Sequence, residues 1–472
     1  MNHVSSVVVG GGIGGLQAAH TLAKLGLEPL LLESRGSCGG LIFGAPIGGV
    51  WVDLGAESFA KRSVAAAELC RELGLEVVDP SGGSWLWSHR DGGFGVPIPH
   101  GVLGIPTDLD DPIVVGLLSE AGLERAREDL TMGPETGADA TDLASLVVAR
   151  LGGEVLTRLV DPIAGGVHSA HPSELAVDVV SPGLRQALAR EGSLVRAAAS
   201  LRASAPAGAV VSSAVGGLFT LPSALTARIN ELGGTVAGRR IVTAISRAGD
   251  VWEVTHHEAG RAPDPAYPPI PVGEPEVVTT DRLVVALDGR AALDLLRTVP
   301  ELAIGDWKLP RGADLAQVCI VLDAPELDAG PRGSGLLVTP DAEGSERRVA
   351  CKAITHYSLK WPGVVAGTGK HVLRVSYGRA GVPTPEPSLA DALADASVLL
   401  GVPLAEDQVV GHAVIHFPNS LPPQTPAHRV RVAGLTERVA ELPGFAVTGA
   451  WFAGTGLAAV IPHAERVAKE LA

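Results

Sequence analysis

Val7-Val8-Val9-Gly10-Gly11-Gly12-Ile13-Gly14-Gly15-Leu16 is the stretch whose reading decides how this chain folds. Val7 to Val9 is a short β-branched run, suited to a parallel strand buried on both faces. The glycines that follow give G-x-G-x-x-G at Gly10, Gly12 and Gly15. Leu16 to Leu25 reads as a helix, with Leu16, Ala19, Leu22 and Ala23 on one stripe and Gly26 at its end. Leu27 to Leu32 reads as a second strand, closed by Glu33. Pro29 falls near its start, where a missing N–H is tolerated.

Strand, glycine turn, helix, strand and acid in this order are a dinucleotide fingerprint. Gly10 permits the tight turn, Gly12 lets a pyrophosphate approach the backbone, and Gly15 lets helix and strand pack closely. The helix N-terminus offers free N–H groups and a positive dipole end to the phosphates. Glu33, 18 residues after Gly15, is placed to accept ribose hydroxyls and disfavours a 2′-phosphate.

The 472 residues predict two to four domains. With 46 % hydrophobic and 19 % charged residues the chain can bury a large core, which excludes general disorder. Glycine and proline together reach about 20 %, below low-complexity levels. A net charge of −15 opposes binding to nucleic acid or an anionic membrane, and 17 aromatic residues are too few for a base-stacking platform. Cys38, Cys70, Cys319 and Cys351 form no CxxC pair and read as reduced thiols. No signal peptide is read at the N-terminus. Ala203 to Ala227 lacks charge for 25 positions, but its prolines, glycines and serines make it a loop followed by a helix from near Pro222, not a membrane span.

Arg35 and Gly39-Gly40 follow Glu33, and then comes Gly48-Gly-Val-Trp-Val-Asp53-Leu-Gly55-Ala-Glu57-Ser58-Phe59. This resembles the flavin amine oxidase superfamily, in which Glu-x5-Gly-Gly continues an FAD site. The run at 55–59 resembles its porphyrinogen oxidase branch; the acidic charge, the composition and the lack of a readable membrane span make the chain most similar in look to the soluble coproporphyrinogen III oxidases of Gram-positive bacteria. Further stretches fit the same order: Val96–Pro99, Gly104–Thr107, Gly216–Pro222, Gly238–Ile245, Leu283–Ala286, Lys360-Trp361-Pro362, Arg374–Arg379, Pro418–Pro422 with His428, and Gly449–Leu457. Four places depart from the family pattern: Asp288 where a proline is usual, Gln424 and Ala427, His463 with Glu465, and Gly166–His171 with His168.

The resemblance implies a discontinuous Rossmann-like FAD-binding domain, an α/β unit formed by 1–85, 211–290 and 430–472. It implies a mixed-sheet, α+β substrate-binding domain over 86–108 and 291–429, and a helical region over 109–210. It implies FAD contacts at Gly10, Gly12, Ile13, Gly14, Gly15, Glu33, Ser34, Arg35, Gly39, Gly40, Leu41, Gly55, Ala56, Glu57 and Ser58. Val242 would meet adenine through its backbone, Trp361 would lie near the isoalloxazine, and Gly449, Gly456, Leu457 and Ile461 would form the second phosphate and flavin contact. The implied reaction is the six-electron oxidation of coproporphyrinogen III in haem biosynthesis. In it, hydride passes to flavin N5, dioxygen is the acceptor and hydrogen peroxide is released. A cytoplasmic location and hand-over to ferrochelatase go with it. Protoporphyrinogen oxidation, another oxidase of the superfamily and a flavin-binding homologue with degraded catalysis stay open.

A porphyrinogen carries propionates, which call for cations, arginine having the best geometry. The candidates are Lys360, Trp361, Arg379, Arg62, Arg374 and His428; the scheme demands no dedicated acid–base residue, and none is named. His412 and His416 invite a zinc reading, but four residues of strand separate them by roughly 13 Å, too far for one metal. His168 and His171 read as a loop because of Gly165-Gly166 and Pro172, and His256-His257 as exposed. Ala262 to Pro275, with six prolines, reads as an exposed linker. Cys38 reads as a small packing residue.

Overall fold

The computed structural model describes residues 2–166, 170–204, 210–262, 268–340, 348–379, 381, 383, 386–420 and 425–472. His168, Gln424, Pro422 and positions 263–267 of the proline-rich stretch lie outside the described residues.

The first strand, Asn2–Val9, pairs in parallel with Leu30–Leu32 on one side and Ile270–Val285 on the other. Thr235–Ala237 extends the parallel sheet beyond Leu30–Leu32, and Phe445–Val447 pairs in parallel with Leu283–Val285. Val251–Gly260 and Arg240–Ala248 add an antiparallel wing. The unbroken Val7-Val8-Val9 run follows from cover on both faces: the three are 0 to 2 % exposed. Val8 packs toward helices Ile13–Lys24, Thr220–Glu231 and Leu457–Leu471, and Val7 and Val9 toward helix Gly289–Leu296, Trp252 and Leu435. This is the Rossmann-like, doubly wound arrangement.

The second sheet runs in the order 409–420, 313–322, 371–377, 353–356, 335–338, 84–88 and 94–97. It is mixed, with one parallel pairing between Gly335–Val338 and Ser84–Ser88. Its Val318, Ile320, Leu336, Ile354, Leu373 and Val375 side chains are buried with helix Leu389–Leu400. Residues 109–201 supply most of a separate helical core. Inside it Arg150 Nε lies 2.5 Å from Asp129 Oδ1, both side chains fully buried. Asp129 also accepts from the Ser193 hydroxyl and the Leu194 and Val195 N–H groups, so the buried charges are hydrogen-bonded throughout.

Several expectations are corrected by the fold. The second strand is only Leu30–Leu32, since Pro29 stays outside it with its carbonyl accepting from Thr235 N–H. The loop expected in Ala203–Ala227 contains a strand, Val211–Ala214, which pairs with Phe59–Ala60 and Val77–Val78, while the helix expected from near Pro222 is there, running Thr220–Glu231. Ile270–Pro275 belongs to a strand: a register shift between His256 and Glu258 of the partner strand takes up residues 273–275. His256 is buried, not exposed, because it falls on the inner side of the alternation along Val251–Gly260. Gly165 ends a helical segment from Leu156, not a loop; a glycine there avoids the Asp161 carboxylate, 2.6 Å from where a Cβ would stand.

Candidate active site

Gly10 has φ +104°, a conformation that glycine adopts freely, and a Cβ there would lie 2.6 Å from the Ala286 carbonyl oxygen. A Cβ on Gly15 would collide with the Gly10 carbonyl oxygen. At Gly12 a Cβ would meet nothing within 4 Å, so this turn is open where a phosphate would approach. Gly39 forms a parallel bridge with Gly12 and donates to the Gly11 carbonyl at 2.8 Å, which brings Gly40 against the same turn. Helix Leu457–Leu471 starts from Gly456, at φ +87° and also open, and its Val460 stands 3.1 Å from the Cβ position of Gly14. Two helix N-termini therefore meet at the carboxyl edge of the parallel sheet. Gly449, Gly14 and Ile13 complete this wall, while the Leu457 and Ile461 side chains are in the core with Leu16 and Leu22.

The Glu33 carboxylate accepts from Gly11 N–H at 2.6 Å and Arg35 N–H at 2.7 Å, with the Ser34 hydroxyl at 3.3 Å. It is thereby held at the end of its strand. Arg239 and Arg240 donate back to the Arg35 and Glu33 carbonyls, which starts strand Arg240–Ala248 beside it. Val242 lies on that strand, where the ladder shifts register between Val242 and Ala244. Cys38 backs the turn; burial and then Glu33 push its thiol up to about 12, so it stays a thiol. The residues present fit a dinucleotide pyrophosphate and ribose.

The segment after Gly40 leads to the charged part of the site. Leu41 is exposed, and its carbonyl accepts from Ala56 N–H at 2.8 Å. Glu57 Oε1 takes Lys360 Nζ at 2.6 Å and its Oε2 takes Arg374. Arg374 also donates to the Gly55 carbonyl at 2.6 Å and to Gln317 Oε1 at 3.0 Å. Burial raises the Glu57 carboxyl, but Arg374 and Lys360 outweigh it and hold the group below its usual range. Arg374 thus uses all three of its nitrogens to bolt the 55–57 loop to the second sheet, and with its side chain only 6 % exposed it presents little to a substrate carboxylate. Lys360 has one partner among the described residues, is a fifth exposed, and lies 5.3 Å from the Trp361 ring. Trp361 is buried against Val52, Leu54 and Tyr357, with its indole N–H unpartnered among the described residues. Ser58 follows on this segment, half-buried.

The other predicted cations are dispersed. Arg62 reaches the Thr455 carbonyl at 3.4 Å, close to the Gly456 turn. Arg379 donates to the Val338 carbonyl at 2.6 Å, at the far end of the second sheet. His428 is buried among Trp307 and Trp451, its Nε2 2.7 Å from the Trp451 carbonyl, and burial lowers its pKa. That places a neutral packing histidine where a substrate cation was expected. His463 is accommodated locally, with Nδ1 3.0 Å from Thr448 Oγ1 and its ring edge-on to Phe452, and Glu465 pairs with Lys469. Asp288 caps helix Gly289–Leu296 in place of a proline. His412 and His416 lie along one strand, Val409–Ser420.

Sequence reasoning missed Asp53 and Tyr357. Asp53 is fully buried and accepts from Leu218 N–H at 2.9 Å, Phe219 N–H at 2.7 Å and the Tyr357 hydroxyl at 2.8 Å. It ties hairpin 44–53 to the return segment 217–219 and to the Lys360 helix, Tyr357–Lys360. The signal was available: one acid inside an apolar strand, Val50–Asp53, must find donors. Gln317 had no comparable signal.

Paired glycine turns, each feeding a helix N-terminus at the edge of a parallel sheet, are the features of a dinucleotide-binding type of fold. The model of the family described as flavin containing amine oxidoreductase matches residues 13–472, and the chain belongs to that family. It is accordingly a flavin-dependent oxidoreductase. The coproporphyrinogen III oxidase of Bacillus subtilis is 26 % identical over 470 residues, covering 96 % of this chain and 94 % of that one. The coproporphyrinogen III oxidase of Mycobacterium leprae is 26 % identical over 487 residues, covering 100 % and 99 %. A solved structure from Exiguobacterium sp. 255-15, provisionally named a protoporphyrinogen oxidase, shares the fold with a TM-score of 0.79 at 22 % identity, covering 100 % of this chain and 99 % of its own. Among the described residues no helix is long and apolar enough to cross a membrane.

Proposed function

We propose that this chain oxidises coproporphyrinogen III to coproporphyrin III, using FAD and three molecules of dioxygen and releasing three of hydrogen peroxide. The observation that carries this reading is the continuity of one segment, 39–57, which joins the glycine cradle at Gly12 to the half-buried ammonium of Lys360. The near full-length likeness to coproporphyrinogen III oxidases supports it. Segments 1–85, 211–290 and 430–472 would act as the FAD-binding domain, 86–108 and 291–429 as the substrate-binding domain, and 109–210 as the helical region.

When bound, FAD supplies the hydride acceptor and passes the electrons to dioxygen. Gly12, Gly40 and Gly456 would lie against its phosphates, Glu33 against its ribose, and the main chain at Val242 against its adenine. Glu57 holds Lys360 so that its ammonium meets a substrate propionate, and Trp361, buried beside that ammonium, supports it from the core. Arg374 keeps Glu57 ionised. No side chain is assigned to take the protons; the macrocycle's own nitrogens and solvent suffice. A cytoplasmic location and delivery of the product to ferrochelatase complete the proposal.

The test is aerobic conversion by the purified, FAD-loaded protein of coproporphyrinogen III and of protoporphyrinogen IX, followed by porphyrin fluorescence and peroxide. Faster turnover of coproporphyrinogen is expected. A protein that binds FAD and converts neither would refute the reading, and preference for protoporphyrinogen would reassign the substrate.

A further inference from the structure

Lys360 ends a single helical turn, Tyr357–Lys360, and each of the four residues in it is tied down. The Ser358 hydroxyl accepts from Val372 N–H at 2.9 Å. The Leu359 carbonyl accepts from the Ser81 hydroxyl, and the Lys360 carbonyl from Ser81 N–H at 3.0 Å. Tyr357 and Lys360, three apart, project from the same side of the turn. They meet two carboxylates four apart on one segment, Asp53 and Glu57. The Tyr357 hydroxyl donates to Asp53 Oδ2 at 2.8 Å and accepts from Asp53 N–H at 3.3 Å. The turn is therefore docked at two points, and with the second removed the lysine could swing about Glu57.

Asp53 carries that second point back to the glycine turn. It also accepts from Leu218 and Phe219 N–H, and the chain then enters helix Thr220–Glu231. Pro222 of that helix stands 3.1 Å from the Cβ position of Gly39, the residue that bridges to Gly12. The ring and the hydroxyl of Tyr357 have separate partners. The ring packs with Val52, Leu54 and Trp361 and lies 5.7 Å from the Arg374 guanidinium, while the hydroxyl meets only Asp53. Phenylalanine would serve the packing equally well, so the buried hydroxyl calls for another role. Burial and then the Asp53 charge keep the phenol protonated, and so a donor. We propose that Tyr357 is a positioning residue, which through its hydroxyl and Asp53 fixes the turn that presents Lys360 to a substrate propionate. The proposal rests on the porphyrinogen reading above.

The test is a double-mutant cycle read by fluorescence titration of the FAD-loaded protein with coproporphyrin III, which is stable in air. The proteins are wild type, Tyr357→Phe, Lys360→Met and the double variant, each checked for native flavin absorbance. Tyr357→Phe keeps the ring beside Arg374 and deletes only the hydroxyl. Lys360→Met should weaken binding roughly tenfold or more, the worth of one charge-assisted contact. Tyr357→Phe should keep its flavin and weaken binding roughly threefold to tenfold, and the double variant should bind no more weakly than Lys360→Met. A residue that only supports the fold would cost the same factor in both backgrounds, and that result would overturn the proposal. So would wild-type affinity in Tyr357→Phe, or loss of its flavin. Wild-type affinity in Lys360→Met would remove the lysine contact, and the positioning role with it, while leaving the porphyrinogen reading in place. Wild-type protein that binds no coproporphyrin would sink both.

Discussion

At Glu57 one carboxylate holds two cations in a place where water is scarce. Its side chain is 13 % exposed and that of Arg374 6 %. Replacing Glu57 with Gln keeps the shape and removes the anion, leaving Arg374 buried beside Lys360. Breaking a buried pair from one side costs about 3 kcal/mol or more. Urea unfolding of Glu57→Gln should show a loss of that size; a loss below about 1 kcal/mol would mean that the charges are solvated. His356 makes a second residue-level prediction. It is 1 % exposed, its Nε2 lies 3.1 Å from His371 Nδ1, and His371 Nε2 lies 3.0 Å from Asp328. Burial and then His371 lower its pKa to about 4, below the unfolded value near 6.5. The native protein therefore refuses a proton that the unfolded chain accepts. This contribution is complete above about pH 6.5 and is lost as pH falls toward 4, at about 1.4 kcal/mol per unit. Between pH 6.5 and 5 it amounts to about 2 kcal/mol. The stability difference between pH 7 and pH 5 should shrink by that amount in His356→Asn, and equal pH dependence in the two proteins would contradict it.

The glycine turn shows how two positions of one motif fail differently. Ala at Gly15 would collide with the Gly10 carbonyl, so strand Asn2–Val9 and helix Ile13–Lys24 must separate. Gly15→Ala is expected to lose both stability and flavin, with a fall in Tm of the flavin-free protein. Ala at Gly12 meets no protein atom within 4 Å, and the φ of −68° there suits alanine. Gly12→Ala should fold with an unchanged flavin-free Tm yet lose flavin, read as absorbance at 450 nm after dialysis against excess FAD (~tenfold or more weaker binding). Full flavin retention in Gly12→Ala would remove this turn from the phosphate site. Both outcomes were legible in the motif, because glycine spacing reports backbone geometry that only glycine permits. The helix ends Gly449 and Gly456 were legible for the same reason.

For the whole molecule, the charge of −15 opposes the approach of a polyanion, so on the proposed reading attraction comes from a half-buried cation such as Lys360. Salt screens the distant repulsion more than the half-buried contacts. The kcat/KM for coproporphyrinogen should therefore hold or rise as NaCl goes from ~0.05 to ~0.5 M. A steep fall would show that surface charge steers the substrate in. The packing of hairpin 44–53 over one end of the second sheet, and of the 156–166 segment over the other, leaves the middle of that sheet face half-covered.

The fingerprint from Val7 to Glu33, and the second glycine turn at 449–456, were set by the sequence itself, because turn geometry, strand burial and helix dipoles are local properties. Which cation keeps an open face was decided only by the tertiary structure. Arg374, Lys360 and His428 look alike as candidates along the chain. In space Arg374 is consumed by Glu57, Gly55 and Gln317, His428 is packed neutral between tryptophans, and Lys360 keeps a partly open ammonium. A charge is defined by its neighbours, and those neighbours lie up to 319 positions away.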